Sequence, residues 1–245
     1  MSSNSTLAIP NLYRSVLANG ITLIIVENQA ADIISGRFFL KGAGTIIETP
    51  EQAGLANLVS AVITKGTENL SALEIAEKIE SIGAGLGTDA TTDYFSLSLK
   101  TVSADFPPML KLLGEIMRSP TFPESEVELE RKLTLQSIRS QKEQPFNVAF
   151  NQLRQQMYPQ HPYGVSVLGT EASVSSLTRN QLQQYHQTYF RPDNLVISLS
   201  GRITQTQGQD LIAGVFGDWE KPDQPLPISQ LQSPMLNPSQ QEIIQ

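Results

Sequence analysis

The sequence predicts an α+β domain in which helices back a mixed β-sheet. Apolar runs at residues 12–16 and 21–26 flank Asn19-Gly20, a pair typical of a tight hairpin because both residues tolerate positive φ. Residues 54–67 instead place apolar side chains at three- and four-residue steps, the pattern of a helix packed on a core. Segments of both kinds recur as far as residue 219, so strands and helices contribute to one fold.

Three further segments are predicted to join the sheet. Residues 33–40 form a strand after the hairpin and lead into a glycine-rich turn. That turn lacks the Gly-Lys-Ser/Thr ending of a phosphate-binding loop. Residues 94–99 alternate enough to predict a strand, and the apolar run at residues 195–200 predicts a buried one.

Capping boxes begin two of the predicted helices. In the first, Ser71 and Glu74 satisfy each other's backbone groups, and the helix is predicted to bury Leu73 on its inner side. Thr178 and Gln181 begin the second in the same way. Apolar spacing and proline positions predict further helices within residues 105–119, 124–144, 145–157 and 211–219.

Composition limits the function classes. With 245 residues, 40% of them hydrophobic, the chain can bury a substantial core in one large or two small domains. It contains no cysteine, which excludes disulfides and thiolate chemistry. A net charge of -7 argues against a nucleic-acid surface. No apolar run approaches a membrane span and the N-terminus lacks a signal-peptide pattern, so a soluble cytoplasmic protein is expected.

The helix at residues 54–67 carries the most specific motif. It reads G-L-A, then a five-residue slot, then a hydrophobic run that closes in K-G-T. This order resembles the signature helix of the pitrilysin/insulinase family of zinc peptidases, which includes the mitochondrial processing peptidases. In active members the slot reads H-x-x-E-H, with two zinc-binding histidines and a glutamate that activates water. Here Asn57, Ser60 and Ala61 stand at those three positions.

The resemblance therefore implies an inactive homologue with no catalytic residue and no metal of its own. A hydrolytic zinc site needs about three His or carboxylate ligands, whereas Asn57 offers a neutral amide, Ser60 a hydroxyl and Ala61 nothing. The family's third ligand is the first glutamate of an E-x-E-R stretch, which matches Glu128. One carboxylate cannot hold zinc alone, and a solvated acidic helix face is the simpler interpretation of Glu128.

Two further markers, an H-P-Y-G sequence at residues 161–164 and the G-T pair Gly169-Thr170, follow in the family's order. His161 begins an H-P-Y-G sequence and precedes a proline, so it is expected in a turn, as a structural marker and not a ligand. His186 is expected to be hydrogen-bonded and partly buried on a helix face shared with Tyr185. The resemblance covers residues 12–219 and implies one domain of a processing-peptidase-like subunit, with a mixed, largely antiparallel sheet.

A peptide-binding edge strand is the remaining site that the resemblance implies. The corresponding family strand lies at a sheet edge beside the zinc and captures the substrate as an added strand. Main-chain pairing needs no particular side chain, and Gly85, Gly87 and Thr88 would leave the backbone open to it. From the residues alone, a loose hairpin over residues 85–90 is an equally good interpretation.

Domain boundaries follow from composition. Residues 1–10 are expected to be a flexible N-terminus and residues 11–220 the peptidase-like domain. Residues 221–245, rich in Pro, Gln and Ser, are expected to be a linker toward a missing or separate second domain. The usual family subunit joins two such domains, which predicts a fragment or one half of a split subunit.

The implied function is that of a non-catalytic subunit. It would complete a peptide-binding chamber with an active sister peptidase, as a heterodimer or alternatively a homodimer, and would bind peptides or unfolded proteins. Zinc is expected only in the partner, with neither nucleic acid nor membrane involved. A structural or scaffolding subunit without peptide handling stays open as an alternative. Residual zinc metalloendopeptidase activity is the least favoured.

Overall fold

The computed structural model describes residues 11–159 and 161–227, in which the chain forms six strands and eight α-helices. The strands are β1 (Leu12–Val16), β2 (Thr22–Glu27), β3 (Ile33–Lys41), β4 (Gly85–Ala90), β5 (Tyr94–Val102) and β6 (Leu195–Gly201). The helices are α1 (Leu55–Val62), α2 (Ala72–Glu80), α3 (Phe106–Arg118), α4 (Glu124–Lys142), α5 (Pro145–Met157), α6 (Glu171–Ser176), α7 (Arg179–Tyr189) and α8 (Gln205–Phe216). The predicted N-terminal segment 1–10 and residues 228–245 of the predicted linker lie outside the described residues.

One sheet organises the domain, in the order β1-β2-β6-β3-β5-β4. The β2–β6 pair is parallel and the other neighbouring pairs are antiparallel, so the prediction of a mixed, largely antiparallel sheet is confirmed. Strand β6 comes from the far end of the domain and inserts between β2 and β3. Because β6 joins the β1–β2 hairpin to β3, residues distant in sequence must meet before the sheet is complete.

The core lies between the sheet and the helices. Phe38 of β3 and Phe95 of β5 are fully buried, and Phe38 packs on Phe216 of α8 with ring centroids 6.1 Å apart. Helix α1 adds Leu58 and Val62, both also fully buried. Burial of large side chains such as these contributes roughly 1.5–3 kcal/mol each, which fixes the position of α1.

Two predicted details are wrong. The helix expected over residues 54–67 ends at Val62, because Gly66 and Thr67 pair with other segments in isolated β-bridges. In α2, Leu73 is 68% exposed and Ile75 is buried. The inner stripe of α2 therefore starts at Ile75 and not at Leu73, although the predicted capping box at its start is present.

No helix within the described residues combines the length and the apolar character needed to cross a membrane.

Candidate functional site

Helix α1 presents the degenerate motif on a partly exposed face. Asn57 and Ala61, one turn apart, are both partly exposed. Ser60 is 9% exposed, and its hydroxyl donates to the Asn57 carbonyl at 2.9 Å. Asn57 and Ala61 are therefore partly accessible to solvent, whereas Ser60 turns inward. These three residues are called the α1 face below.

Two glycines fix how α1 begins. Gly54 has φ +93°, and a Cβ there would clash with the Leu168 carbonyl. Gly169 has φ +77°, and a Cβ there would clash with the Ala53 carbonyl. The Ser173 hydroxyl also donates to Ala53 O at 2.7 Å. The G-L-A and G-T markers therefore lie against each other. The close approach of the two segments requires glycine at both positions.

Strand β4 lies beside α1. The Thr88 hydroxyl donates to the Ser60 carbonyl, with Oγ1 and O 2.7 Å apart. β4 pairs with β5 on one side and comes last in the sheet order, so within the described residues its other side has no strand partner. Gly85 is exposed, and Gly87 and Thr88 are partly exposed. The three predicted edge residues thus lie on a true edge strand next to the α1 face.

Glu128 lies on α4, which packs against α1, but its contact is within its own helix. Its carboxylate is 3.3 Å from the Arg131 guanidinium, and 45% of its side chain is exposed. The second glutamate of the E-L-E-R stretch, Glu130, instead pairs with Lys65 just beyond α1 at 3.0 Å. The ion pair that joins α4 to the end of α1 therefore uses Glu130 and not Glu128.

The side chains of the α1 face do not fit a zinc site. An amide, an inward-turned hydroxyl and a methyl group on the α1 face provide none of the His, Cys or carboxylate ligands that zinc uses. In the described part of the chain, no three His, Cys, Asp or Glu side chains are grouped so as to hold a metal ion.

Both histidines of the chain form hydrogen bonds with the main chain. His161 Nδ1 accepts from the Tyr163 main-chain N–H at 3.1 Å, at the start of a short 3₁₀ turn. His186 Nε2 lies 2.8 Å from Met117 O. Because a carbonyl can only accept, Nε2 carries the proton. Burial lowers the pKa of His186 to about 4, against the opposing effect of this hydrogen bond. The predicted turn and the predicted hydrogen-bonded histidine are both found.

A cavity of about 490 Å³ lies at the N-terminal end of α1 and was not predicted. Glu48 lines it and accepts hydrogen bonds from the Gly54 and Ala56 N–H groups at 2.8 and 2.7 Å. Burial raises the pKa of Glu48 to about 7, against the lowering effect of these N–H groups. The sequence gives little signal for this role, because Glu48 reaches α1 across a short 3₁₀ turn and not at capping-box spacing.

Helix α5 exposes one apolar stripe. Its residues recur at helical spacing and are 39% to 78% exposed; they are Phe146, Phe150, Leu153 and Met157. The Phe146 and Phe150 rings stack with an interplanar angle of 6°, and none of the residues of α5 is buried. This stripe is called the α5 apolar face. Its residues follow the helical spacing of a buried stripe, but they lie at the surface and not in the core.

Comparison with known proteins places these features in a family. The family model "Insulinase (Peptidase family M16)" matches residues 24–171, and the model "Peptidase M16 inactive domain" matches residues 176–245. A crystal structure of a peptidase M16 inactive domain from Pseudomonas fluorescens superimposes with a TM-score of 0.85 at 26% identity. That match covers 92% of this chain and 54% of the other.

Three curated relatives are similar along most of this chain. An uncharacterized zinc protease, YmxG, from Bacillus subtilis is 28% identical over 85% of this chain and 51% of its own length. A probable mitochondrial-processing peptidase subunit beta from Schizosaccharomyces pombe is 28% identical over 88% and 47%. Cytochrome b-c1 complex subunit 1 of Mus musculus is 26% identical over 83% and 42%.

The chain thus spans about half the length of the curated relatives it matches. The fold, the order of the markers and the extent of the matches all agree. Since the insulinase model alone matches more than half of the residues, the chain belongs to the insulinase family of M16 peptidases.

Proposed function

We propose that this chain is a non-catalytic processing-peptidase-like subunit that holds a peptide on β4 while an active, zinc-bearing sister subunit cleaves it. The observation that carries the proposal is the pairing of an open edge strand, Gly85–Ala90, with an α1 face that lacks zinc ligands. The match to an M16 inactive domain and the similarity to a processing-peptidase subunit support it.

The physical basis of peptide capture is main-chain hydrogen bonding. An edge strand presents N–H and C=O groups that a second extended chain can pair with. Gly85 and Gly87 leave this backbone unshielded by side chains, and the Thr88 hydrogen bond to α1 holds the strand in place. Affinity then depends on the peptide backbone more than on its side chains, which suits a subunit that receives many sequences.

The α5 apolar face supports a role in an assembly, and we assign it to contact with the active sister subunit. A contiguous apolar surface rich in aromatic residues is typical of a protein interface. Phe146, at 78% exposure, has the most side-chain area left to bury. Phenylalanine is enriched at protein interfaces relative to the rest of the surface, which favours this face as a contact.

Peptide capture is tested with backbone N-methylation. A peptide methylated at alternate residues on the edge that faces β4 loses its donors and is expected to bind at least about tenfold more weakly. The same peptide methylated on the opposite edge is the matched control. Fluorescence anisotropy measures both affinities, and equal weakening, or no saturable binding of the parent peptide, would contradict the proposal.

Partner binding is tested with the double variant Phe146→Ser and Phe150→Ser. We expect loss of co-purification with the active sister subunit and loss of any gain in its peptide hydrolysis. Leu73→Ser, which alters another exposed apolar residue on α2, is the control and should leave both unchanged. If wild-type chain neither co-purifies with that subunit nor raises its activity, the assignment of a partner fails.

A scaffolding role without peptide handling is the second candidate, favoured by the similarity to cytochrome b-c1 complex subunit 1. The two candidates differ in one measurement. A scaffold is expected to co-purify with partners but to show no saturable affinity for extended peptides, whereas the proposed function requires both.

A further inference from the structure

The cavity beside Glu48 has no part in the function proposed above. Its volume of about 490 Å³ lies between the segment before α1 and the segment after α5. Its apolar wall is formed largely by Pro50, Ala53, Tyr158, Pro159, Pro162 and Val165. A volume of this size with mostly apolar walls is typical of small-ligand sites, and it is ample for one long side chain.

The cavity begins where β4 ends. Thr45, which lines it, donates its N–H to Thr91 O at 3.0 Å, one residue beyond the end of the strand. On the other wall, the segment that contains Tyr163 is tied to the β4–β5 turn by the bond from Tyr163 Oη to Asp93 Oδ1 at 2.7 Å. Both walls of the cavity are therefore bonded to the turn that follows β4, and the proposal below requires a peptide paired with β4 to continue past Ala90 to this point.

Glu48 is the one acidic side chain that lines the cavity, and it forms no ion pair with any described residue. Neither Lys nor Arg of the described chain lines the cavity; the basic side chain that does is His161, whose Nδ1 already accepts the Tyr163 N–H. Thr45 is 5% exposed, and its Oγ1 has no hydrogen-bond partner among the described residues. A largely desolvated carboxyl without a counter-ion, surrounded by apolar walls, gains most from a ligand that brings a positive charge on an aliphatic stem.

We propose that this cavity is a subsite for a lysine or arginine side chain of a peptide bound along β4. The aliphatic stem lies against Pro50, Pro162 and Val165, and the cationic head meets the Glu48 carboxylate. The inference rests on the proposed capture of peptides by β4, and it adds a preference for sequence that main-chain pairing alone does not provide.

The test compares short peptides that differ at one residue. A host peptide carries lysine or the uncharged isostere norleucine at each position in turn, and fluorescence anisotropy gives the affinities. We expect one position at which lysine binds about tenfold more tightly than norleucine, a difference in the range of a charge-assisted contact. The preference should increase as the pH rises through 7, because Glu48 then ionises. Tyr158 and His161 line the same cavity and Tyr185 interacts with Glu48, so the pH dependence is assigned to Glu48 only if it disappears in Glu48→Gln.

Glu48→Gln removes the charge and keeps one acceptor for the α1 N–H groups, so it should abolish the lysine preference while norleucine affinity stays unchanged. Glu51→Gln is the matched control, since it removes the same charge from an exposed neighbour that does not line the cavity. Val165→Trp reduces the space in the cavity and leaves Glu48, Gly54 and Ala56 unchanged, so it should abolish the preference even if Glu48→Gln fails to fold.

The outcomes separate the two proposals. Equal affinities for lysine and norleucine at every position overturn the subsite and leave peptide capture standing. Equal loss of preference in Glu51→Gln assigns the effect to general surface charge and also overturns the subsite. Absence of binding by every peptide overturns both.

Discussion

The Thr88 hydroxyl of β4 caps the end of α1 by donating to the Ser60 main-chain carbonyl at 2.7 Å. Since α1 ends at Val62, Ser60 is among the last residues of the helix, whose carbonyls have no partner within the helix. A side chain on the edge strand therefore completes the helix that carries the degenerate motif. The strand and the α1 face are fixed relative to each other by this bond.

Thr88→Val is expected to remove this bond while it preserves the shape of the side chain. The free energy of unfolding should fall by about 1 kcal/mol, the usual net value of one hydrogen bond. Urea unfolding measures this change, and faster amide exchange in β4 should accompany it. Thr88→Ser keeps the hydroxyl and should retain most of the stability. A valine variant as stable as wild type would show that the contact does not hold β4.

The double variant Asn57→His and Ala61→His tests whether the fold can still present a metal site. Two histidines one turn apart on the partly exposed α1 face supply two ligands, and Glu128 can supply a third if it leaves Arg131. Ser60 is unchanged because it turns inward and because the family's glutamate at this position is not a ligand. We expect one zinc ion per chain by elemental analysis after dialysis.

Glu128→Gln in the same background should lower the zinc content. Glu130→Gln is the matched control, because Glu130 pairs with Lys65 at 3.0 Å and is not the expected ligand. If Glu130→Gln removes the zinc and Glu128→Gln does not, the ligand position assigned from the E-L-E-R stretch is wrong by two residues.

The edge strand followed from the resemblance to the family, since the residues alone allowed a loose hairpin equally well. Glycines and small polar residues at 85–90 lie beside an alternating strand, and the structure places β4 at the same bounds. The inward turn of Ser60 could not be predicted, since it depends on where β4 and α4 approach α1. Helical periodicity gives the spacing of side chains around α1 but not which neighbours cover them.

The cavity was not predictable for a related reason. Glu48 bonds to Gly54 and Ala56 across a turn of irregular backbone, and the opposite wall comes from residues more than a hundred positions later. No repeat or spacing links these segments. The markers G-L-A and G-T were recognisable only as family features, although contact between Gly54 and Gly169 explains both.

Glu48 should make stability depend on pH. Its pKa is about 7 in the folded chain against an ordinary value of 4.5, so the folded state favours the protonated carboxyl. This contribution is fully present below pH 4.5 and is lost as the pH rises through about 7, a change of up to about 3 kcal/mol. Urea unfolding should show wild type losing stability relative to Glu48→Gln as the pH rises across this range, because the variant keeps the shape of the protonated carboxyl but cannot titrate. A constant difference would contradict the prediction.

His186 should have the opposite dependence. Burial lowers its pKa from 6.5 to about 4, so the folded state favours the neutral ring whose Nε2 donates to Met117 O. The contribution is fully present above pH 6.5 and is lost as the pH falls through about 4, again by up to about 3 kcal/mol. His186→Gln keeps a donor for the carbonyl but cannot titrate, so wild type should lose stability relative to this variant on acidification.

Because the Glu48 effect acts in the reverse direction over an overlapping range, the comparison with the variant, and not the wild-type curve alone, isolates His186. Titration of the ring by NMR gives the independent check, and a pKa near 6.5 in the folded chain would refute the prediction.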